Sequence, residues 1–390
     1  MSALELVVLD VPSGAAMESQ SGLFANRPRI YGALSGPRRG KVGAIVMHPT
    51  SNFMGHYLLE PLAARGISCL ALNSRYVNND AVLVMERVLQ DLGAGVRFMR
   101  ERFDTVVLLG NSGGAALMSF YQAQAENLTV THTPAGDPLR ITAEDLPPAD
   151  GIAILAGHPG RSHLMLHWLD ASVSDEADPL AADPALDIYN PVNQPFGADF
   201  VARVRAAQRA RSERITCWVQ ARLRLLRALP APIHDEAMMV YRTYADPRFV
   251  DLDLDPNDRK PGGNRGGGNP RSINYGVNSL CRYTSLTAWM SQWSLLSQAD
   301  GPANMALTSV PALHLEYTAD GSIFPTDIQR WSAAMGQREE FHRIRPGTHY
   351  LAGQPELVEE VATLVADWAT GITGKVAKIS ESLTTTETSI

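Results

Sequence analysis

Residues 106–114, with the sequence VVLLGNSGG, join an apolar run to a predicted helix. The apolar run is typical of a buried strand, and the residues from Gly113 to Glu126 favour a helix. Between them lies Gly-x-Ser-x-Gly, in which small residues leave room for a serine on a sharp turn. Such a turn lifts the hydroxyl clear of the sheet and directs the N–H of Gly113 toward the same space. The pattern predicts that Ser112 is a nucleophile; the alternative is an ordinary Gly-Ser turn that opens a helix.

Apolar runs of strand length alternate with helical patterns on both sides of this turn. This alternation predicts an α/β fold, in which helices cover both faces of a mostly parallel sheet. Ligands of such sheets bind beyond the carboxyl ends of the strands. The predicted strands are 4–9, 29–34, 41–47, 67–72, 104–109, 151–156, 311–317 and 340–344, and the predicted helices are 52–65, 81–103, 113–126, 325–335 and 355–370.

The alternation stops between residues 161 and 306, where the sequence predicts helices and loops but no buried strand. Residues 1–160 and 307–373 are therefore expected to form one discontinuous core. Residues 161–306 are expected to form a mainly helical cap, inserted after the sixth strand. The polar residues 374–390 are predicted to form a flexible tail.

A serine hydroxyl needs a base before it can attack, and the base needs a carboxylate to orient it. His349 lies on the loop before the last predicted helix, whereas His342 lies inside a predicted strand. Asp320 follows a predicted strand directly. We therefore expect Ser112, Asp320 and His349 to form a catalytic triad. The alternatives are a loop histidine without a role and a plain Asp-Gly turn.

The loop after the third predicted strand, residues 48–55, is expected to donate a second N–H to an oxyanion, beside that of Gly113. The N–H of Thr50 or of Ser51 is suitably placed on this loop, whereas Pro49 has no N–H to donate. His48 ends the strand and is predicted to shape the loop. A contact with substrate, or a second catalytic role, is left open for His48.

The serine turn, the later Asp320 and His349, and the His-Pro-Thr loop resemble the α/β-hydrolase superfamily of serine esterases and lipases. The resemblance covers residues 4–158 and 311–370 and does not extend to the segment between them. A proline stands where the family usually has the glycine of a His-Gly pair. The resemblance implies a serine hydrolase that cleaves a carboxylic ester of a largely apolar small molecule through an acyl-enzyme. It implies no cofactor and no metal.

Other functions remain open on the same residues. Amidases, thioesterases, C–C bond hydrolases and acyltransferases use this apparatus, and a hydrolase-like protein could bind a ligand without turnover. Asn111 and His158 are expected near the substrate. Trp289 and Trp293 recur at helical spacing, so they are expected either to roof the substrate site or to form cap core.

Three further patterns have ordinary structural interpretations. His163 and His167 have i, i+4 spacing, which suits a metal site, but no third ligand accompanies them, and a cap helix is preferred. The arginine-rich residues 198–229 are expected to form a solvated or subunit-contacting face. The glycine-rich residues 261–270 are predicted to form a mobile loop.

Composition narrows the classes of function. Lys and Arg number 34 against 41 Asp and Glu, a formal charge of −7, which argues against nucleic acid as a partner. Cys69, Cys217 and Cys281 are odd in number and far apart, which favours a reducing compartment. The sequence shows no secretory signal and no apolar run long enough to span a bilayer. We expect a cytoplasmic protein that acts on a small molecule; a homodimer is left open.

Overall fold

The computed structural model of the chain describes residues 4–13, 28–262, 268–277 and 279–387, with 374–387 as backbone alone. Its strands are β1 (Glu5–Asp10), β2 (Arg29–Ser35), β3 (Gly40–His48), β4 (Ser68–Asn73), β5 (Phe103–Asn111), β6 (Gly151–Leu155), β7 (Ala237–Met239), β8 (Tyr283–Ser285), β9 (Ala312–Tyr317) and β10 (Glu339–Ile344). Residues 263–267 of the predicted glycine-rich loop, 261–270, lie outside the described residues, and so does the end of the predicted tail, 388–390.

The main sheet has eight strands in the order β1-β2-β4-β3-β5-β6-β9-β10. Strand β2 runs antiparallel to both of its neighbours, and the other pairs are parallel. The predicted mostly parallel sheet is therefore confirmed. Because parallel strands share one carboxyl edge, the loops that follow β3, β5, β6, β9 and β10 meet at the same side of the sheet.

The helices are α1 (Leu59–Ala64), α2 (Met85–Arg100), α3 (Gly114–Glu126), α4 (Arg161–Trp168), α5 (Ala198–Arg227), α6 (Pro270–Tyr275), α7 (Leu286–Ala288), α8 (Gly301–Met305), α9 (Pro325–Met335) and α10 (Pro355–Glu387). A π-helical turn, Trp289–Trp293, follows α7. Single 3₁₀ turns lie at Asp80–Val82, Ala143–Asp145, Pro191–Asn193, Pro247–Phe249 and Gly336–Arg338. Helix α1 is much shorter than predicted, because the residues before Leu59 form turns. Helix α10 continues past residue 373, where the sequence predicted the start of a flexible tail.

Two apolar clusters, one on each face of the sheet, explain the unbroken apolar run of β5. Val106 and Leu108 belong to the cluster that contains residues of α2 and α3. Val107 and Leu109 belong to the other cluster, with residues of α1 and α10. Successive side chains of a strand point to opposite faces, so a strand covered on both sides has no place for polar residues.

A mainly helical cap follows β6, with its own apolar cluster around Trp289 and Trp293. It also contains the two-stranded antiparallel sheet of β7 and β8, which the sequence did not predict. Each of these strands has three residues, too few for an alternation to be read. At the end of the segment, Ala299 and Met305 pack in the main core with α3 rather than in the cap.

Helix α5 carries the arginine-rich stretch, and several of its guanidinium groups form ion pairs within the protein. Arg211 is fully buried and bonds both carboxylate oxygens of Glu176, at 2.8 and 2.7 Å. Arg205 reaches the buried Asp246 at 2.8 Å. Part of the predicted solvated face is therefore structural.

Two observations concern membrane-spanning helices and the cysteines. Among the residues that the structure describes, no helix combines the length and the apolar character needed to cross a membrane. Cys69, Cys217 and Cys281 are all free thiols.

Glu86, in the first turn of α2, is a buried carboxyl that connects the core to the cap. Its carboxylate accepts hydrogen bonds from Ser291 Oγ at 2.7 Å and from Gln298 Nε2 at 3.3 Å. Burial raises the pKa of Glu86 to about 7 from an ordinary value of 4.5. The fold therefore favours the protonated carboxyl.

The pKa of Glu86 predicts a pH-dependent stability. Because the folded-state value is the higher one, its contribution is full below pH 4.5 and is lost as the pH rises through 7. Glu86→Gln removes the ionisable group. The free energy of unfolding of the variant, relative to that of the wild type, should therefore rise by up to about 3 kcal/mol from pH 5 to pH 8. Urea unfolding at both pH values measures this, with the exposed Glu60→Gln as control. An equal difference from the wild type at both pH values would contradict the prediction.

Candidate active site

Ser112 stands on the sharp turn between β5 and α3, with a φ of 57° in the left-handed region. The two flanking glycines are needed because the chain approaches itself closely there. A Cβ on Gly110 would lie 2.6 Å from Cα of Ala115, and a Cβ on Gly114 would lie 2.4 Å from the carbonyl oxygen of Met47. Contacts this short with backbone atoms leave no room for a side chain.

His349 connects Ser112 to Asp320. Its Nε2 lies 2.8 Å from Ser112 Oγ, and its Nδ1 lies 2.6 Å from Asp320 Oδ2. All three side chains are buried, and Ser112 is only 1% exposed. In the neutral ring, a proton on Nδ1 donates to the carboxylate, and Nε2 then accepts from the serine hydroxyl. The structure therefore brings together the three residues that the sequence singled out, within hydrogen-bond reach.

The loops that carry Asp320 and His349 fix each other. Asp320 follows β9, and its Oδ1 accepts the N–H groups of Ser322 at 2.7 Å and of Ile323 at 3.2 Å. The N–H of Ala319 donates to the carbonyl of Gly347 at 2.9 Å, which joins the aspartate loop to the histidine loop. Both carboxylate oxygens therefore accept hydrogen bonds, Oδ1 from backbone N–H groups and Oδ2 from the imidazole.

His48 changes the expectation for the loop after β3. Its Nδ1 accepts the N–H of Thr50 at 3.1 Å and the N–H of Ser51 at 2.8 Å. The two N–H groups predicted to face an oxyanion therefore point at the His48 ring in this structure. Since Nδ1 accepts, the proton of the neutral ring lies on Nε2. This Nε2 lies beside Gly113, only 2.7 Å from where a Cβ of that residue would be.

The side-chain amide of Asn111, a residue expected near the substrate, forms hydrogen bonds within the protein. Its Nδ2 donates to the carbonyl of Leu155 at 2.8 Å, and its Oδ1 lies 3.2 Å from Nε2 of His56. Because this amide oxygen only accepts, the His56 nitrogen must donate. Burial lowers the pKa of His56 to about 4, so its ring stays neutral. Asn111 therefore anchors the serine turn to β6. His56 was not identified from the sequence as the partner of Asn111.

The other residues expected near the substrate have different surroundings. The His158 ring lies 5.6 Å from the His349 ring, and the backbone N–H of His158 donates to the carbonyl of Ser112 at 3.0 Å. Trp289 is fully buried and donates its Nε1–H to Thr216 of α5, so it is cap core. Trp293 is also buried, with the guanidinium of Arg161 at 4.7 Å from its ring centre.

Arg161 connects the cap to the loop after β3. It is the first residue of α4, and its Nη2 donates to Thr50 Oγ1 at 2.7 Å. Its Nη1 bonds Oε1 of Gln292, in the π-helical turn. The start of the cap is thereby tied to the core beside Ser112.

His163 and His167 each have a partner of their own within the protein. Nε2 of His163 pairs with Asp300 at 2.7 Å, while Nδ1 of His167 lies 3.4 Å from Arg248. Burial, with the nearby Arg205, lowers the pKa of His167 to about 3. Across the described part of the chain, no three His, Cys, Asp or Glu side chains are grouped so that they could hold a metal ion.

The close approach at Gly114 predicts a loss of stability on substitution. Gly114→Ala places a methyl group against the Met47 carbonyl, a backbone atom that cannot rotate away. The free energy of unfolding should fall by about 1–3 kcal/mol. Gly371→Ala in α10, where a Cβ would meet no atom within 4 Å, is the control and should be neutral or slightly stabilising. Urea unfolding compares them, and equal stabilities would refute the packing argument.

Comparison with known proteins finds similarity in structure alone. No family model matches the sequence, and no curated protein sequence does. The alpha/beta hydrolase GrgF from Penicillium sp. sh18 is 11% identical, with 95% of this chain and 99% of that chain covered and a TM-score of 0.50. DcsB, solved in complex with its substrate analogue, is 12% identical, with coverages of 95% and 100% and a TM-score of 0.50. The esterase domain of a Rhodothermus marinus protein is 12% identical, with coverages of 94% and 98% and a TM-score of 0.45.

At such identities the likeness concerns the fold. The sheet order, its single antiparallel inner strand and the cap after β6 agree with it. The chain therefore has the fold of the α/β-hydrolase superfamily.

Proposed function

We propose that the protein is a serine hydrolase, which cleaves a carboxylic ester of a largely apolar small molecule through an acyl-enzyme. One observation carries the proposal: His349 lies within hydrogen-bond distance of both Ser112 Oγ and the Asp320 carboxylate. A histidine held between a serine and a carboxylate can take the hydroxyl proton and return it to a leaving group. The strained turn at Ser112 supports the same assignment, since it directs the hydroxyl away from the sheet.

The proposed reaction has two halves. Ser112 Oγ attacks the ester carbonyl while Nε2 of His349 takes its proton. The imidazolium then gives this proton to the departing alcohol, and an acyl group remains on Ser112. In the second half, His349 takes a proton from water while the water oxygen attacks the acyl carbonyl. The imidazolium then gives this proton to Ser112 Oγ as its bond to the acyl group breaks, and the acid leaves. Asp320 stabilises the imidazolium in both halves.

The proposed oxyanion site uses the N–H of Gly113 and Nε2–H of His48. Gly113 immediately follows the nucleophile, where this fold places its first donor. His48 replaces Thr50 and Ser51 as the second donor because their N–H groups are directed to its own Nδ1. The same two bonds leave the ring proton on Nε2, beside Gly113.

The size of the substrate is inferred from the burial of Ser112. Ser112 is almost completely covered, which suits a small molecule in a site closed to bulk water. Amides, thioesters, C–C bonds, acyl transfer to an acceptor other than water, and binding without turnover remain the alternatives. A screen of ester, amide and thioester substrates of graded chain length separates them. The free cysteines favour a cytoplasmic enzyme.

Substitution of the three residues tests the proposed chemistry. Ser112→Ala and His349→Ala should abolish both labelling by a fluorophosphonate probe and hydrolysis of a chromogenic ester. Asp320→Asn should lower kcat by about 10⁴-fold, because the imidazole loses its charged partner. Ser119→Ala is the matched control, because this buried serine donates to two carbonyls of its own helix, those of Ala115 and Ala116, and the rates of the variant should equal those of the wild type.

Different failures point to different errors. Labelling that persists in Ser112→Ala would mean that another residue is the nucleophile. A folded wild type that is never labelled would favour a binding protein. Unchanged turnover in Asp320→Asn would remove the aspartate from the mechanism.

His48→Ala tests the proposed oxyanion donor. The loss of one such donor should lower kcat by about 10²-fold with little change in KM, because the bond forms only in the transition state. Ser74→Ala is the control, because Ser74 Oγ donates to the carbonyl of Pro49 and so supports the same loop without being a proposed oxyanion donor. Its kcat should stay near the wild type. A His48→Ala enzyme within about threefold of the wild type, or an equal loss in both variants, would assign the second donor elsewhere.

A further inference from the structure

A segment of the cap, residues 246–259, lies against the loop that carries Asp320. We name this segment the cap arm. Nδ2 of Asn257 donates to the backbone carbonyl of Asp320 at 2.8 Å. The N–H of Asp258 donates to the carbonyl of Thr318 at 2.7 Å. The cap arm therefore holds two carbonyl groups of the aspartate loop, one of them on Asp320 itself.

The orientation of the Asn257 amide is fixed by a second set of bonds. Its Oδ1 accepts the N–H of Arg259 at 3.1 Å and Nη1–H of the same residue at 2.8 Å. Only Nδ2 is then left to face Asp320, where it meets a carbonyl and must donate. Arg259 also donates to the carbonyls of Asp255 and Leu254, each at 2.8 Å. The cap arm is thus internally braced around Arg259.

The far end of the aspartate loop is held by the same segment. The guanidinium of Arg248 lies 3.9 Å from the centre of the fully buried Phe324 ring, four residues after Asp320. Arg248 is itself fixed by the buried Asp246, at 2.8 Å. Thr326 Oγ1 donates to Oδ2 of Asp255 at 2.5 Å. The cap arm therefore contacts the loop on both sides of the aspartate.

The core holds this loop by different atoms. The N–H of Thr318 donates to Ile344 at 3.1 Å, and the N–H of Ala319 donates to Gly347 at 2.9 Å. These bonds fix N–H groups, whereas the cap arm bonds carbonyl groups. The peptide that leads out of Asp320 has its carbonyl held by Asn257, so the direction of this residue depends on the cap as well as on the sheet.

We propose that Asn257 is a positioning residue, through which the cap sets the placement of the Asp320 carboxylate against His349. The inference rests on the proposed serine hydrolase function. Asn257 acts through Asp320 and touches neither the serine nor the imidazole in the contacts described. Displacing a reacting group by about 1 Å can cost about 10²-fold in rate. Loss of this bond should therefore lower kcat and leave KM nearly unchanged.

Asn257→Ala tests the proposal through a double-mutant cycle with Asp320→Asn. In the wild-type background, Asn257→Ala should lower kcat about tenfold, with KM within about twofold. In the Asp320→Asn background, it should have almost no further effect, because the carboxylate it places is gone. The acidic limb of kcat/KM should also move to lower pH by about half a unit, since a displaced carboxylate stabilises the protonated imidazole less.

Two variants guard against a trivial loss of folding. Asn193→Ala removes an amide that donates to the carbonyls of Pro184 and Asp187 inside the cap, and it should behave as the wild type. Asn257→Ser keeps a shorter donor and should give an intermediate loss. Rates are counted per site titrated by the fluorophosphonate probe, so unfolded protein does not lower kcat.

Two results would overturn the proposal. One is a kcat and pH profile of Asn257→Ala equal to those of the wild type. The other is a loss of the same factor in both backgrounds, which indicates a structural role. Failure of the proposed function is distinguishable from either result, because the Ser112→Ala variant would then keep the turnover of the wild type.

Discussion

The hydrogen bond between His349 Nε2 and Ser112 Oγ is the interaction on which the account depends. It joins residues 237 positions apart, so only the tertiary fold can make it. The parallel sheet makes it by bringing the carboxyl ends of β5, β9 and β10 to one edge. Each predicted triad residue lies on the loop after one of these strands. Loops at one edge of the sheet therefore carry the hydroxyl, the imidazole and the carboxylate within reach of one another.

The backbone around this bond is constrained on all sides. Ser112 has a backbone conformation in the left-handed region, and Gly114 lies against the carbonyl of Met47, so both residues restrict the conformation of the serine turn. Asn111 ties the turn to β6, and the cap arm ties the aspartate loop to the cap. Such rigidity matters because a proton transfer within a triad needs donor and acceptor at fixed distances. The cap thus contacts the loop that carries Asp320.

The fold could be predicted from the sequence because its signals are local, and the sequence also singles out the three predicted triad residues that the structure places within hydrogen-bond reach. Strand-length apolar runs and Gly-x-Ser-x-Gly predict the sheet and the serine turn, and chain order suggests the aspartate and histidine. Contacts between distant segments could not be read this way. Nothing local shows that His48 takes the N–H groups of Thr50 and Ser51, because the path of the loop decides that. The orientation of Asn111 and the bond from Asn257 are likewise products of packing.

The most direct test of the central claim is to trap the intermediate. The protein is mixed with a nitrophenyl ester, quenched in acid during turnover, and digested for mass spectrometry of the peptide that contains Ser112. The proposed triad predicts an acyl group on Ser112 in the wild type and none in His349→Ala, because the hydroxyl needs the imidazole to react. Steady release of nitrophenol with Ser112 unmodified at every quench time would contradict it.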